Sequence, residues 1–230
     1  GSMNQSSGLL FARGQKNISI TGFGTIDGQG GSKTFQFGND ADGGPKRPKI
    51  IYFVECKGIV VTDVTLRNSA YWVQHYEKCE DVTIRGLKVF SHCNYNNDGL
   101  DIDAKNATIS DCYIDVEDDA ICFKSDHPEF CENITVTNCV TASNCNAIKF
   151  GTASHGGYRN IAVSNCVVRR AAEDNIRHWS KQLEHISADV TVISGVAIEM
   201  VDGGIIDGIT VSNISMRDVQ TPIFIRLGDR

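Results

Sequence analysis

Proline is scarce in this 230-residue chain, with four residues, so extended polyproline linkers are excluded. Basic clusters are missing as well. Lys and Arg total 22 against 28 Asp and Glu, a net charge of −6, and no Lys/Arg stripe points to nucleic acid. No apolar run approaches the roughly 20 residues of a membrane-spanning helix, so no membrane partner is expected. The nine cysteines do not form the paired C-x-x-C modules of zinc sites. Sustained helical periodicity is absent, and Ala171 to Leu183 is the nearest, short candidate. No secretory leader is visible. Gly1-Ser2-Met3 reads as a cloning remnant and is set aside, leaving residues 4–230 as one domain in which a leader is not legible.

What is present is a repeat. Short β-prone tetrads begin at Asn17, Gly58, Asp81, Asn106, Asn133, Asn160 and Gly208. From position 58 the intervals are 23, 25, 27, 27 and 48 residues, the last being two turns blurred by an insertion. Each unit is a short strand, then Ser/Thr-Asn/Asp-Cys, a second strand, a polar loop and a third apolar run such as Ala147-Ile148-Lys149-Phe150. Strands this short, broken by Gly, Asn and Asp at a fixed period, predict an all-β, right-handed parallel β-helix. Its coils would stack about 4.8 Å apart.

Asn138, Asn165 and Asn213, with Asp111 one coil earlier, share one phase of the repeat. They are expected to form a side-chain ladder or to serve as turn residues. The sequons at Asn17, Asn106, Asn133 and Asn213 are read as part of the repeat rather than as glycosylation sites. Cys112, Cys139 and Cys166, spaced 27 and 27, are expected to stack in the core; a Cys122–Cys131 disulfide is the alternative. Neither chain end shows an obvious cap, so pairing at the solenoid ends is an expected mode of association.

The chemistry concentrates in Asn96-Asn97-Asp98-Gly99-Leu100-Asp101 and Glu117-Asp118-Asp119-Ala120-Ile121. The 20 residues from Asp98 to Asp118 nearly equal one repeat, so the fold would bring these carboxylates together on neighbouring coils. Asp-Gly and Asp-Asp also occur in plain turns. Adjacent strand residues face opposite sides, so Asp118 and Asp119 reach one cleft only if the backbone bulges or turns there. Close carboxylates repel, which raises one pKa and supplies a proton donor.

Four stretches carry a family resemblance. Arg47-Pro48-Lys49-Ile50-Ile51 through Thr65-Leu66-Arg67-Asn68-Ser69-Ala70-Tyr71-Trp72 is similar to a strand pair of the polygalacturonase-like glycoside hydrolases, glycoside hydrolase family 28. Asn96-Asn97-Asp98-Gly99 resembles that family's N-T-D-G motif, and Asp118-Asp119 its D-D pair. The family's Gly-His-Gly has no counterpart in Asn144 to Gly151. Of its Arg-Ile-Lys, only the Arg is matched, in Asn175-Ile176-Arg177-His178-Trp179; a register through Val196-Ala197-Ile198-Glu199 would lose both cations.

The resemblance implies a secreted or periplasmic enzyme that hydrolyses pectic or related acidic polysaccharide by inversion, without cofactor or metal. Asp118 is the implied general acid, and Asp98 and Asp119 activate water. Lys149 and Arg177 would follow the acids at successive coils and suit a sugar carboxylate. Lys124, His178 and Asn96 are further substrate-binding candidates, with Asn96 alternatively orienting Asp98. Trp72, Trp179 and Tyr71 are expected mainly in core packing. Asp101 and Asp103 raise a rival, a Ca²⁺-dependent lyase, although no Lys or Arg is evident as base beside Asp98 or Asp118. A non-catalytic carbohydrate-binding β-helix is the third reading.

Overall fold

The computed structural model describes residues 8–36, 47–172 and 192–230. Each coil adds one strand to each of three parallel ladders. The first coil holds β1 (Gly8–Arg13), β2 (Lys16–Thr21) and β3 (Thr25–Asp27), and the second β4 (Lys49–Val54), β5 (Lys57–Thr62) and β6 (Thr65–Arg67). Longer strands then run around a corner and serve two ladders. These are β7 (Gln74–Arg85) with β8 (Lys88–Ser91), and β9 (Leu100–Ser110) with β10 (Tyr113–Val116). β11 (Ile121–Ser125), β12 (Cys131–Thr137) and β13 (Val140–Ser143) form the next coil. After them come β14 (Asn146–Ser154), β15 (Gly157–Arg170), β16 (Val192–Met200), β17 (Ile205–Met216) and β18 (Val219–Leu227). The pairings are parallel, β1–β4–β7–β9–β11–β14–β16–β18 making the first ladder. This is the parallel β-helix the repeat predicts. The one helix among the described residues is the single turn α1 (Lys33–Gln36), and most of the candidate Ala171 to Leu183 lies outside them.

The tetrads have a backbone cause. Asn17, Gly58, Asp81, Asn106, Asn133, Asn160 and Gly208 stack in register at one corner, and all have φ between 53° and 72°. That left-handed conformation disfavours most side chains but suits Gly, Asn and Asp. Asn106 donates to Asp81 at 3.2 Å, Asn133 to Asn106 at 3.1 Å and Asn160 to Asn133 at 2.8 Å. At the predicted ladder, Asn138 bonds Asp111 and Asn213 bonds Asn165. The sequon asparagines are thus corner residues.

The interior is a set of columns. Phe53, Tyr76, Ile102, Phe123, Phe150, Ile198 and Ile225 follow one another in register on the inner face of the first ladder, and Phe123 stacks on Phe150 at 4.5 Å. Cys112, Cys139 and Cys166 are buried in the same core. All nine cysteines are free. In place of a Cys122–Cys131 bridge, Cys122 donates to the Gly151 carbonyl and Cys131 to that of Ile102. On the last coil, apolar side chains such as Ile223 and Leu227 are exposed. No helix of the described residues is long and apolar enough to cross a membrane.

Candidate active site

The first ladder floors a cleft of about 560 Å³. Its outward column reads Tyr52, His75, Asp101, Cys122, Lys149, Ala197 and Phe224, one residue per coil. Asp98 precedes β9, and Asp118 and Asp119 precede β11. Gly99 donates to the Asp119 carbonyl at 2.8 Å and Leu100 to that of Ala120 at 3.0 Å, so Asp98 lies one coil from Asp119. The Asp pair occupies the turn between β10 and β11 rather than a regular strand. The turn is why two adjacent acids both line the cleft with Asp98.

Hydrogen bonds fix that turn. Ser143 Oγ donates to the Asp118 carbonyl at 2.6 Å and accepts from the Cys145 amide at 2.7 Å. The Asp119 amide donates to Asp118 Oδ1 at 2.9 Å. Asn97, fully buried, braces Asp98 from behind. Its Nδ2 donates to the Ser69 and Tyr71 carbonyls, and its Oδ1 accepts from Ser91 Oγ and the Asn94 amide. Asn96 turns toward Asp118, not Asp98, donating to Oδ2 at 3.4 Å, while its own oxygen accepts from Arg47.

The acids have different electrostatic surroundings. Asp119 accepts from Lys149 Nζ at 2.9 Å and from Asn146 Nδ2 at 2.7 Å. Burial alone would raise its pKa, but Lys149, Lys124 and these hydrogen bonds outweigh it and hold the carboxyl below its usual range. Asp98 is pushed well above that range by burial first, then by Asp101 and Asp118. Burial likewise lifts Asp101 to about 6, against the pull of Lys124. Oxygens of Asp118 and Asp119 and the Cys145 thiol lie within 4.8 Å of one another, but both Asp119 oxygens already face donors.

Lys124 lines the cleft beside the acids. Its ammonium sits 3.1 Å from Asp101, 3.7 Å from Asp98 and 4.4 Å from the Trp72 ring centre. These contacts hold the ammonium against the acids at the cleft wall. Where the sequence showed no Lys or Arg beside Asp98, Lys124 stands 3.7 Å from it, and Lys149, expected one coil past the Asp pair, meets Asp119 at 2.9 Å. Tyr71 and Trp72, expected in the core, stack on each other and line the cleft.

Beyond Lys149, the next coil of the floor is β16, in the register that carries Ala197 and Glu199. Arg177, His178 and Trp179 lie outside the described residues. Glu199, Phe224 and Arg226 line the cleft; of these, only the Glu199 register was legible in sequence. Asp103 does not join the acids. It lines a second hollow with Glu55, Lys78, Glu80, Lys105 and Glu129.

Comparison with known proteins follows this geometry. Over 128 residues, the chain is 34% identical to a probable polygalacturonase of Vitis vinifera, covering 53% of this chain and 25% of that protein. A polygalacturonase of Saccharomyces cerevisiae is 30% identical over 127 residues, 52% of this chain and 34% of its own length. The fold is similar to a family 28 exopolygalacturonase of Yersinia enterocolitica, with a TM-score of 0.70 at 18% identity over 94% of this chain and 43% of that one. A hyperthermoactive exopolygalacturonase of Thermotoga maritima gives 0.57 at 22% identity, over 82% and 40%. The chain thus spans a quarter to a third of the two sequence relatives and under half of the two structures. Residues 4–227 match the family described as glycosyl hydrolases family 28, and with nearly its whole length inside that match the chain belongs to it.

Proposed function

We propose that this cleft hydrolyses glycosidic bonds of pectic or related acidic polysaccharide with inversion, in a secreted or periplasmic setting. The observation that carries the reading is the convergence of Asp98, Asp118 and Asp119, with Asp119 held ionised by Lys149 and Asn146. Hydrolysis needs one carboxyl to protonate the leaving oxygen and one carboxylate to activate water. Asp119 suits the base. Asp118, oriented by Asn96, is the acid, and Asp98, neutral over a wider pH range, positions the water from the adjacent coil.

The gap between Asp118 and Asp119, within 4.8 Å, is shorter than the roughly 6.5–9.5 Å of inverting pairs. Inversion in this reading depends on water lodged toward Asp98 across the coils. A lyase would need an unprotonated base and a bound cation. Lys124 and Lys149 are held protonated, their pKa values raised by acids that outweigh burial. Lys124 also stands against both Asp98 and Asp101, the second of which the lyase reading assigned to Ca²⁺.

The test is a panel of pectic polymers and oligomers followed for both reducing ends and unsaturated, ultraviolet-absorbing ends. Reducing ends alone support hydrolysis. Unsaturated ends would establish elimination, and binding with neither product would make the cleft a non-catalytic carbohydrate site.

A further inference from the structure

A glycan lying across the strands meets the coils in order: Asp98, the Asp118–Asp119 turn, Lys149, Glu199, then Arg226. The charges along this path are unevenly free. Lys124 is committed to Asp101 and Asp98. Lys149 is committed to Asp119 at 2.9 Å and faces Glu199 at 3.9 Å. Glu199 therefore meets the ring that docks just past the acids, its side chain 18% exposed in the cleft wall. Lys149 at 3.9 Å and the neighbouring Arg226 offset part of its charge. Gly151 on the preceding coil has no side chain, and Arg226 is the register partner on the following one.

A carboxylate is an acceptor only. It welcomes sugar hydroxyls and repels a uronate. Like charges brought together in a partly desolvated cleft cost several kcal/mol. Among the described cleft residues, Arg226 is the cation with no ion pair, and it lies one coil, about 4.8 Å, beyond Glu199.

We propose that Glu199 makes the subsite next to the Asp pair selective for an uncharged sugar unit, so that the preferred substrate is a pectic chain in which a neutral residue adjoins the cleaved bond rather than a uniform polyuronate. This deepens the reading of the cleft as a glycoside-hydrolysing centre and names the substrate class it takes. Burial lifts the Glu199 pKa; Lys149, Arg226 and Lys124 oppose the rise and Asp119 adds to it, and these are the groups whose fields a sugar carboxylate would also feel.

The test compares a galacturonate oligomer in free-acid form with its methyl ester of the same length. The wild-type protein should use the ester with a KM lower by about tenfold or more. Glu199→Gln keeps the side chain's size and removes its charge. It should lower KM for the free acid relative to the ester by about tenfold, and Glu199→Lys should invert the preference. An acid-to-ester ratio that is the same in wild type and Glu199→Gln overturns the proposal.

Calorimetric binding of the same two oligomers to Asp118→Asn, with and without Glu199→Gln, separates this inference from the catalytic one. Charge selectivity that follows Glu199 without hydrolysis by the wild type sustains the subsite and sinks the hydrolase. Hydrolysis with selectivity indifferent to Glu199 does the reverse. Circular dichroism of each variant identifies any that fail to fold.

Discussion

Asp119 is ionised because Lys149 and Asn146 sit on its two oxygens, not because water reaches it. Burial acts the other way. Replacing Lys149 with Met leaves burial unopposed by its nearest cation, so the Asp119 pKa should rise. The acid limb of the kcat/KM profile should then move to higher pH, while the fold, monitored by circular dichroism, is kept. An unmoved limb would show that Lys149 serves substrate or packing instead. Asp118→Asn removes the proposed proton donor and should lower kcat by about 10²–10⁴-fold with little change in oligomer binding.

These assignments were only partly readable beforehand. The two Asp motifs and their one-repeat spacing could be seen in the chain. The partners of those acids could not, because Lys124 is six residues past Asp118, and Lys149 thirty past Asp119, and their contacts depend on strand register. Trp72 likewise read as a core aromatic because it lies in the loop before β7, where no period tells inside from outside.

At the scale of the element, the corner sets the period. Seven tetrads were visible because a left-handed corner accepts few residue types, and this sequence places Asn, Asp or Gly there every time. The same corner places the sequon asparagines Asn17, Asn106 and Asn133. It predicts a contrast at Asn133, whose φ is 58°. Asn133→Ala loses the ladder bonds to Asn106 and Asn160 and also strains the backbone, by roughly 1–2 kcal/mol for the left-handed conformation. Asn133→Gly loses only the bonds. Urea unfolding should therefore rank wild type above Gly and Gly above Ala, and an Ala variant as stable as Gly would refute the strain argument. Where the period failed to guide, between Arg170 and Val192, the cause is the insertion. It left two registers open, and β16 adopts the one through Ala197 and Glu199.

For the whole molecule, stability should depend on carboxyls buried without their full complement of charge. Burial, then Asp126 and Glu77, lifts Asp103 from its ordinary 3.8 to about 8, and Asp101 rises to about 6. A folded-state pKa above the unfolded one means that the native state holds the extra proton. The stabilisation is complete below about 4 and is lost as pH rises through 6 and then 8. Tm should therefore fall across that window even as Asp119, whose shift is downward, acts oppositely at lower pH. Asp103→Asn should flatten the decline between pH 6 and 8; an identical slope in the variant would show that Asp103 is not its source.

The three aspartates of the cleft carry the account as a whole, and the stereochemistry of their product tests it most directly. Proton NMR of the first-formed sugar end, recorded before mutarotation with a pectic oligomer of defined anomeric configuration, should show the opposite anomer from wild-type protein, with Asp118→Asn forming product about 10²–10⁴-fold more slowly. The same anomer as the substrate would contradict it, because the short Asp118–Asp119 gap would then be holding a nucleophile rather than aligning water from the Asp98 coil.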